Sequence, residues 1–219
     1  VGIVGRPNVG KSTLMNTLVG QKIAITSPVA QTTRNRLRGV MTLPEAQIIF
    51  VDTPGIHKPH HELGKVLVKN ARIAINSVDV TLFVVDGATA AGRGDLFIAD
   101  LLKHSDVPIV LGINKADLQS ETKAQMIALS YQSLADDNGW PVFKFSAVTE
   151  AGLEPLKSAL IERLEVGPYY YPPDLVTDQP ERFIMGELIR EQVLLHTREE
   201  VPHSVAIAIE AVEETPKIT

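Results

Sequence analysis

The sequence predicts an α/β fold, with a mostly parallel, doubly wound sheet followed by a smaller α+β unit. Three observations predict it. Short β-rich apolar runs alternate with helical patterns, which is the signature of βαβ units. Each clear run ends at a polar or glycine-bearing position, namely Gly5, Asp52, Asp86, Asn114 and Ser146. The pattern then breaks at Gly167-Pro168-Tyr169-Tyr170-Tyr171-Pro172-Pro173, whose prolines predict an extended linker.

The strand candidates are residues 1–4, 48–51, 81–85, 109–113 and 142–145. Residues 40–42 add a strand antiparallel to the 48–51 run, with Leu43-Pro44-Glu45-Ala46 as the hairpin turn. Helical spacing covers residues 11–18, 63–75, 95–103, 122–134 and 153–164. Beyond the linker, residues 181–197 form an amphipathic pattern whose apolar positions are Phe183, Ile184, Leu188, Val193, Leu194 and Leu195. Residues 204–212 alternate as a strand. The expected divisions are a first domain at 1–166, a linker at 167–176 and a partial second domain at 177–219. Val1 opens inside an apolar strand, and Thr219 closely follows an apolar alternation, so a piece of a longer chain is expected.

Composition narrows the chemistry. Of 219 residues, 44% are hydrophobic and 21% charged, as in ordinary soluble domains. The absence of cysteine excludes disulfides, thiol catalysis and cysteine-ligated metals. No signal peptide and no membrane-length apolar run is evident, so a cytoplasmic address is expected. The net charge is −5. Residues 166–219 hold four Lys/Arg against ten Asp/Glu, a balance of −6, which leaves +1 for residues 1–165. Neither part has the basic excess of a nucleic-acid binder.

Gly5-Arg6-Pro7-Asn8-Val9-Gly10-Lys11-Ser12 matches the phosphate-loop pattern G-x-x-x-x-G-K-[ST] between a strand and a helix. Its glycines let backbone N–H groups turn inward around phosphates, and the helix N-terminus adds its positive end. Asn8, Val9, Gly10, Lys11, Ser12 and Thr13 are therefore candidate phosphate contacts. Lys11 would bring a point charge to the β- and γ-phosphates, and Ser12 a hydroxyl to Mg²⁺. Asp52-Thr53-Pro54-Gly55 ends a strand; Asp52 is placed to hold the same ion, and the Gly55 N–H to reach a γ-phosphate oxygen. Between these motifs, a threonine of Gln31-Thr32-Thr33-Arg34-Asn35-Arg36 could close over Mg²⁺ in the triphosphate state alone.

Asn114-Lys115-Ala116-Asp117 follows another strand. An ionised carboxylate only accepts hydrogen bonds, so Asp117 suits the paired donors N1–H and exocyclic amine of guanine. Adenine would leave a buried carboxylate unpaired, a discrimination on the order of 10⁴-fold. Asn114 would tie this loop to the phosphate loop, and the Lys115 stem would lie along the base. Ser146-Ala147 comes one βα unit later, with the Ala147 N–H available to guanine O6.

These motifs, in this order, resemble the translation-factor-related P-loop GTPases over about residues 1–165. More narrowly, Gly5–Ser12 with Gln31-Thr32-Thr33-Arg34 and Asp52-Thr53-Pro54-Gly55-Ile56 resembles the Era-type GTPases. Phe183-Ile184-Met185-Gly186-Glu187-Leu188-Ile189-Arg190-Glu191 and Glu200-Val201-Pro202-His203 are similar to the start of that family's C-terminal KH domain. The Der and MnmE families share the phosphate-loop style and fit the tail less well. A KH domain grips RNA through a G-x-x-G loop. No such loop follows residue 173, so the second unit reads as a partial KH-like domain without its RNA clamp.

The resemblance implies a P-loop GTPase fold binding GTP, GDP and Mg²⁺, with Ser12, Thr33 and Asp52 as the metal set and Thr33 preferred to Thr32. It implies a parent protein that is monomeric and acts on 16S rRNA and the 30S subunit, with peripheral association at the inner face of the cell membrane. A nucleotide-gated binding module with little hydrolysis, or a related ribosome- or tRNA-modification GTPase, is the alternative. Ras-like enzymes orient the attacking water with a glutamine just after D-x-x-G; here that position is Ile56, which cannot hydrogen-bond. The implied hydrolytic set is therefore Asn8, Lys11, Thr33 and Gly55, with Asn8 helping to bind K⁺ beside the phosphates. His57, His60 and His61 lack supporting carboxylates and read as a polar loop rather than a metal site. Arg34, Arg36 and Arg38 read as a solvated strand edge, and Tyr169 to Tyr171 as a packed linker.

Overall fold

The computed structural model describes residues 1–27, 37–56, 75, 77–119, 121–197 and 205–212. Six strands form one sheet: β1 (Gly2–Val4), β2 (Leu37–Thr42), β3 (Gln47–Asp52), β4 (Thr81–Asp86), β5 (Ile109–Asn114) and β6 (Val142–Lys144). Their order is β2-β3-β1-β4-β5-β6. Every neighbouring pair is parallel except β2 and β3, which run antiparallel with Val40 opposite Ile49. The hairpin between them closes where Leu43 N–H donates to the Ala46 carbonyl, 2.8 Å away.

The central strands are near-continuous apolar runs because both faces of the sheet are covered. On β4, Leu82 and Val84 pack with Leu14, Met15, Leu156 and Leu160, from α1 (Lys11–Val19) and α4 (Leu153–Ile161). Phe83 and Val85 point the other way, to Ile98, Leu102, Ile127 and Tyr131 of α2 (Arg93–Leu102) and α3 (Glu121–Asp136). The period-2 alternation of a strand thus feeds two separate cores. Each fully buried large side chain contributes about 1.5–3 kcal/mol. The expected helix at 63–75 lies outside the described residues, apart from Ile75, which is buried in the second core.

After β1 the chain moves to β2 and β3 on one side and then crosses to β4 on the other. That reversal is the topological switch point, and the crevice at the carboxyl ends of the strands opens there. Gly5–Ser12 leaves β1 directly into it.

The linker is tied to the hairpin by hydrogen bonds, while Tyr169 and Tyr170 stay exposed rather than packed. Tyr169 Oη donates to the Leu43 and Pro44 carbonyls (2.6 and 2.8 Å), and Gln47 Oε1 accepts from the Tyr170 and Tyr171 N–H groups (2.9 and 3.0 Å). Val40 N–H donates to the Val176 carbonyl at 2.8 Å, so the linker extends the hairpin edge. Arg38 pairs with Asp178 at 2.7 Å on this exposed edge.

One reading of the tail is corrected and another is extended. Helix α5 (Glu181–His196) forms where expected, with Leu194 buried and Phe183 and Ile184 packed against the first core, but charged residues share that face. Leu195 and Ile189 are 48% and 47% exposed, while Arg190 and Glu191 are buried alongside Leu194. The helix lies against the segment that follows α1, where Ile23, Ala24 and Ile25 are buried and the Thr26 N–H and hydroxyl find their acceptor in Glu191. Residues 205–212 form no strand. Exposure alternates along 205–210 and Ile207 lies beside Gly186, but a strand needs a ladder partner, and the described residues offer none.

Candidate guanine-nucleotide site

Lys11 heads α1 and is buried. Its Nζ donates to the carbonyls of Gly5 (3.2 Å) and Arg6 (2.9 Å), so the loop curls around its own lysine. Burial lowers the Lys11 pKa from 10.5 to about 8, partly offset by Asp52. Asn8 and Gly10 both take left-handed backbone conformations, with φ of 62° and 95°. Only glycine fits at position 10: an added Cβ would stand 2.3 Å from Asn114 Nδ2.

That contact belongs to the tie expected of Asn114. Its Nδ2 donates to the Val9 carbonyl (2.9 Å), and its Oδ1 accepts from the Ala147 N–H (2.9 Å). One buried carboxamide joins the phosphate loop to both base-side loops. Thr17 Oγ1 on α1 adds a further link by donating to the Ala147 carbonyl at 2.7 Å. Ser146 Oγ accepts the N–H of Thr149 at 3.1 Å and so shapes the turn beyond Ala147.

Ser12 Oγ donates to Asp52 Oδ2 at 2.8 Å, with Asp52 fully buried. A hydroxyl and a carboxylate in contact, beside a lysine and a helix N-terminus, form a hard-oxygen donor set that suits Mg²⁺ next to phosphate. Thr53 Oγ1 anchors the strand end by donating to the Ile3 carbonyl at 2.8 Å. Gly55 lies flat on the phosphate loop: a Cβ there would come within 2.7 Å of Pro7. Ile56 N–H donates to the Gly5 carbonyl (3.1 Å), while its side chain is buried in the second core.

Thr33 lies outside the described residues, as do Thr32, Arg34, Arg36 and the histidines at 57, 60 and 61. Thr13 sits half-buried in the first turn of α1. Lys115 takes φ 63°, and its Nζ pairs with Asp86 Oδ2 at 2.7 Å, a partner the motif did not announce. Asp117, on the one-turn helix Ala116–Leu118, stands exposed at the rim.

The family model described as a 50S ribosome-binding GTPase matches residues 1–115. GTPase Era of a Nostoc species is 75% identical over all 219 residues, which span 67% of that protein. The chain belongs to the Era family of GTPases. GTPase Era of Synechocystis is 68% identical over the whole chain, covering 70% of that relative. A crystal structure of Era in complex with MgGDPNP and nucleotides 1506–1542 of 16S ribosomal RNA shares 37% identity and a TM-score of 0.84, covering 93% of this chain and 68% of that one. A single-residue variant of Aquifex aeolicus Era bound to GDP·AlF4⁻ gives 36% identity and a TM-score of 0.82, over 93% and 69% of the two chains. No described helix of this Era-family chain is long and apolar enough to cross a membrane.

Proposed function

We propose that this Era-family GTPase works in the cytoplasm as a GTP/GDP switch in assembly of the small ribosomal subunit and maturation of 16S rRNA. The observation that carries the nucleotide part is the single constellation around Lys11: Ser12 on Asp52, and Asn114 joining Val9 to Ala147. The rRNA part is supported by the Era relative crystallised with a 16S rRNA segment. In the domain division, residues 1–166 carry the nucleotide and 177–219 begin the KH-like unit.

The residues divide the work. The N-terminus of α1 and the N–H groups of Val9 to Thr13 cradle the phosphates, and Lys11 Nζ leaves its two carbonyls for the β- and γ-oxygens. Ser12 and Asp52 would hold Mg²⁺, joined by Thr33. When bound, that ion neutralises charge developing on the transferred phosphoryl group. Gly55, pressed on Pro7, directs its N–H toward the γ-phosphate. Asp117 takes the two guanine donors, and Lys115, steadied by Asp86, flanks the base. The Ala147 N–H is shared between Asn114 Oδ1 and guanine O6.

Ile56 sits in the core and cannot orient water. Asn8 stands on the γ side of the loop and would help hold K⁺, which supplies positive charge there. Single-turnover hydrolysis should be at least about tenfold faster in K⁺ than in Na⁺, and the Asn8→Ala variant should lose that difference. Equal rates in the two salts would remove the Asn8 role. The buried Ile56 also favours a second reading, a nucleotide-gated binding module. This module would show GTP-dependent affinity for small subunits and almost no turnover, whereas the switch reading requires turnover in K⁺ that the subunit accelerates.

A further inference from the structure

Among the phosphate-loop side chains, Arg6 reaches across to the first turn of α2. Its Nε donates to Asp95 Oδ1 at 2.7 Å, and Asp95 is fully buried in the first turn of α2. Asp95 Oδ2 accepts the Gly92 N–H at 2.9 Å, so both carboxylate oxygens are engaged and the carboxylate is fixed. The Arg6 stem lies on Gly94, where an added Cβ would stand 2.5 Å from Arg6 Cδ. Tyr131 of α3 adjoins Arg6, and its Oη donates to the Asp86 carbonyl at 3.1 Å. A buried acid, a side chain absent at position 94 and an aromatic neighbour together build a slot for one guanidinium.

We propose that Arg6 and Asp95 are a positioning pair for hydrolysis, which holds the loop at residue 6 so that Asn8 keeps its left-handed turn on the γ side. Asparagine tolerates this backbone better than other non-glycine residues, so what the surroundings supply is the place of the turn rather than its φ. Two residues before Asn8, the chain is pinned by this ion pair; between them, Pro7 is fixed by its ring and by Gly55. Beyond Asn8, Asn114 holds the Val9 carbonyl. The phosphate N–H groups of residues 9–13 thus have their own anchor, and loss of the Arg6 pair falls on Asn8. This inference rests on the γ-side reading of Asn8.

The test compares Asp95→Asn, Arg6→Gln, Arg6→Lys, Asn8→Ala and the Asp95→Asn/Asn8→Ala double variant. Single-turnover hydrolysis, affinity for a fluorescent GDP analogue and thermal melting are measured for each. Asp95→Asn and Arg6→Gln should slow hydrolysis about tenfold while GDP affinity stays within about threefold, and Arg6→Lys should recover most of the rate. In the double variant, Asp95→Asn should add almost nothing to Asn8→Ala, because the two act through one group. A parallel fall in GDP affinity, or full additivity with Asn8→Ala, overturns the pairing role. So does a normal rate in Asp95→Asn when Asn8→Ala is slow. A normal rate in Asn8→Ala instead overturns the γ-side reading of Asn8, and this inference with it.

Discussion

Lys11 sets the pH behaviour of the site. Burial lowers it to about 8, so without phosphate the side chain is charged below that pH and neutral above it. Phosphate favours the ammonium. Nucleotide binding above pH 8 should therefore take up a proton, with affinity falling by up to about tenfold per unit toward pH 10. Calorimetry in buffers of different ionisation enthalpy checks this, and no proton uptake at pH 9 would count against it. Gly10 is limited by space as well as by backbone. Gly10→Ala must displace Asn114 and hold an unfavourable φ, so it should cost about 1–3 kcal/mol in thermal melting and open both base-side loops. The motif showed a glycine at this position, but its neighbour is 104 residues away and left no local trace. The same holds for Asp86 under Lys115 and Asp95 under Arg6. The residues proposed to touch nucleotide were legible because their spacing is local. Their supports were not, because those pairs exist only once the sheet brings distant loops together.

Among the elements, α5 shows what apolar periodicity leaves out. Its apolar residues keep helical spacing, yet Glu191 is what ties the helix to the segment after α1. Glu191 Oε1 accepts the Thr26 N–H and hydroxyl (2.8 and 3.0 Å), and Oε2 meets the ammonium of Lys22. Asn16 holds the same segment from the other side through Ile23 and Ala24. Burial alone would raise the Glu191 carboxyl, but Lys22 and Thr26 outweigh it and leave it below its ordinary 4.5. Its contribution is thus full above the ordinary carboxylate range and is lost as pH falls through the depressed value. Glu191→Gln keeps the shape but loses the charge, and should cost about 1–3 kcal/mol of α5 docking. Hydrogen exchange of the α5 amides should report it as faster exchange confined to that helix. Unchanged protection would mean that Phe183 and Leu194 dock the helix without Glu191. The strands were easier to foresee: β1 and β3 to β6 form within a residue or two of their apolar runs, and for β1, β4 and β5 burial on both faces leaves one reading.

For the whole molecule, the sheet order explains why one crevice collects the phosphate loop, the Asp52 strand end and the two base-side loops. The reversal at β1 puts the phosphate loop at the centre, Asp52 on one side and Asn114 with Ala147 on the other. The parallel α/β class and its single polar edge were readable from alternation alone. The docking of the tail was not, because α5 buries Arg190 and Glu191, charges that no hydrophobic pattern marks. The central claim is that these loops form one guanine-specific site read by Asp117. The most direct measurement is equilibrium binding of GTP and xanthosine triphosphate to wild type and Asp117→Asn. An amide donor suits the xanthine C2 oxygen and cannot accept both guanine donors, so the variant should lose GTP affinity by about 10²-fold or more and gain xanthosine triphosphate. GTP affinity equal in the two proteins would contradict the account.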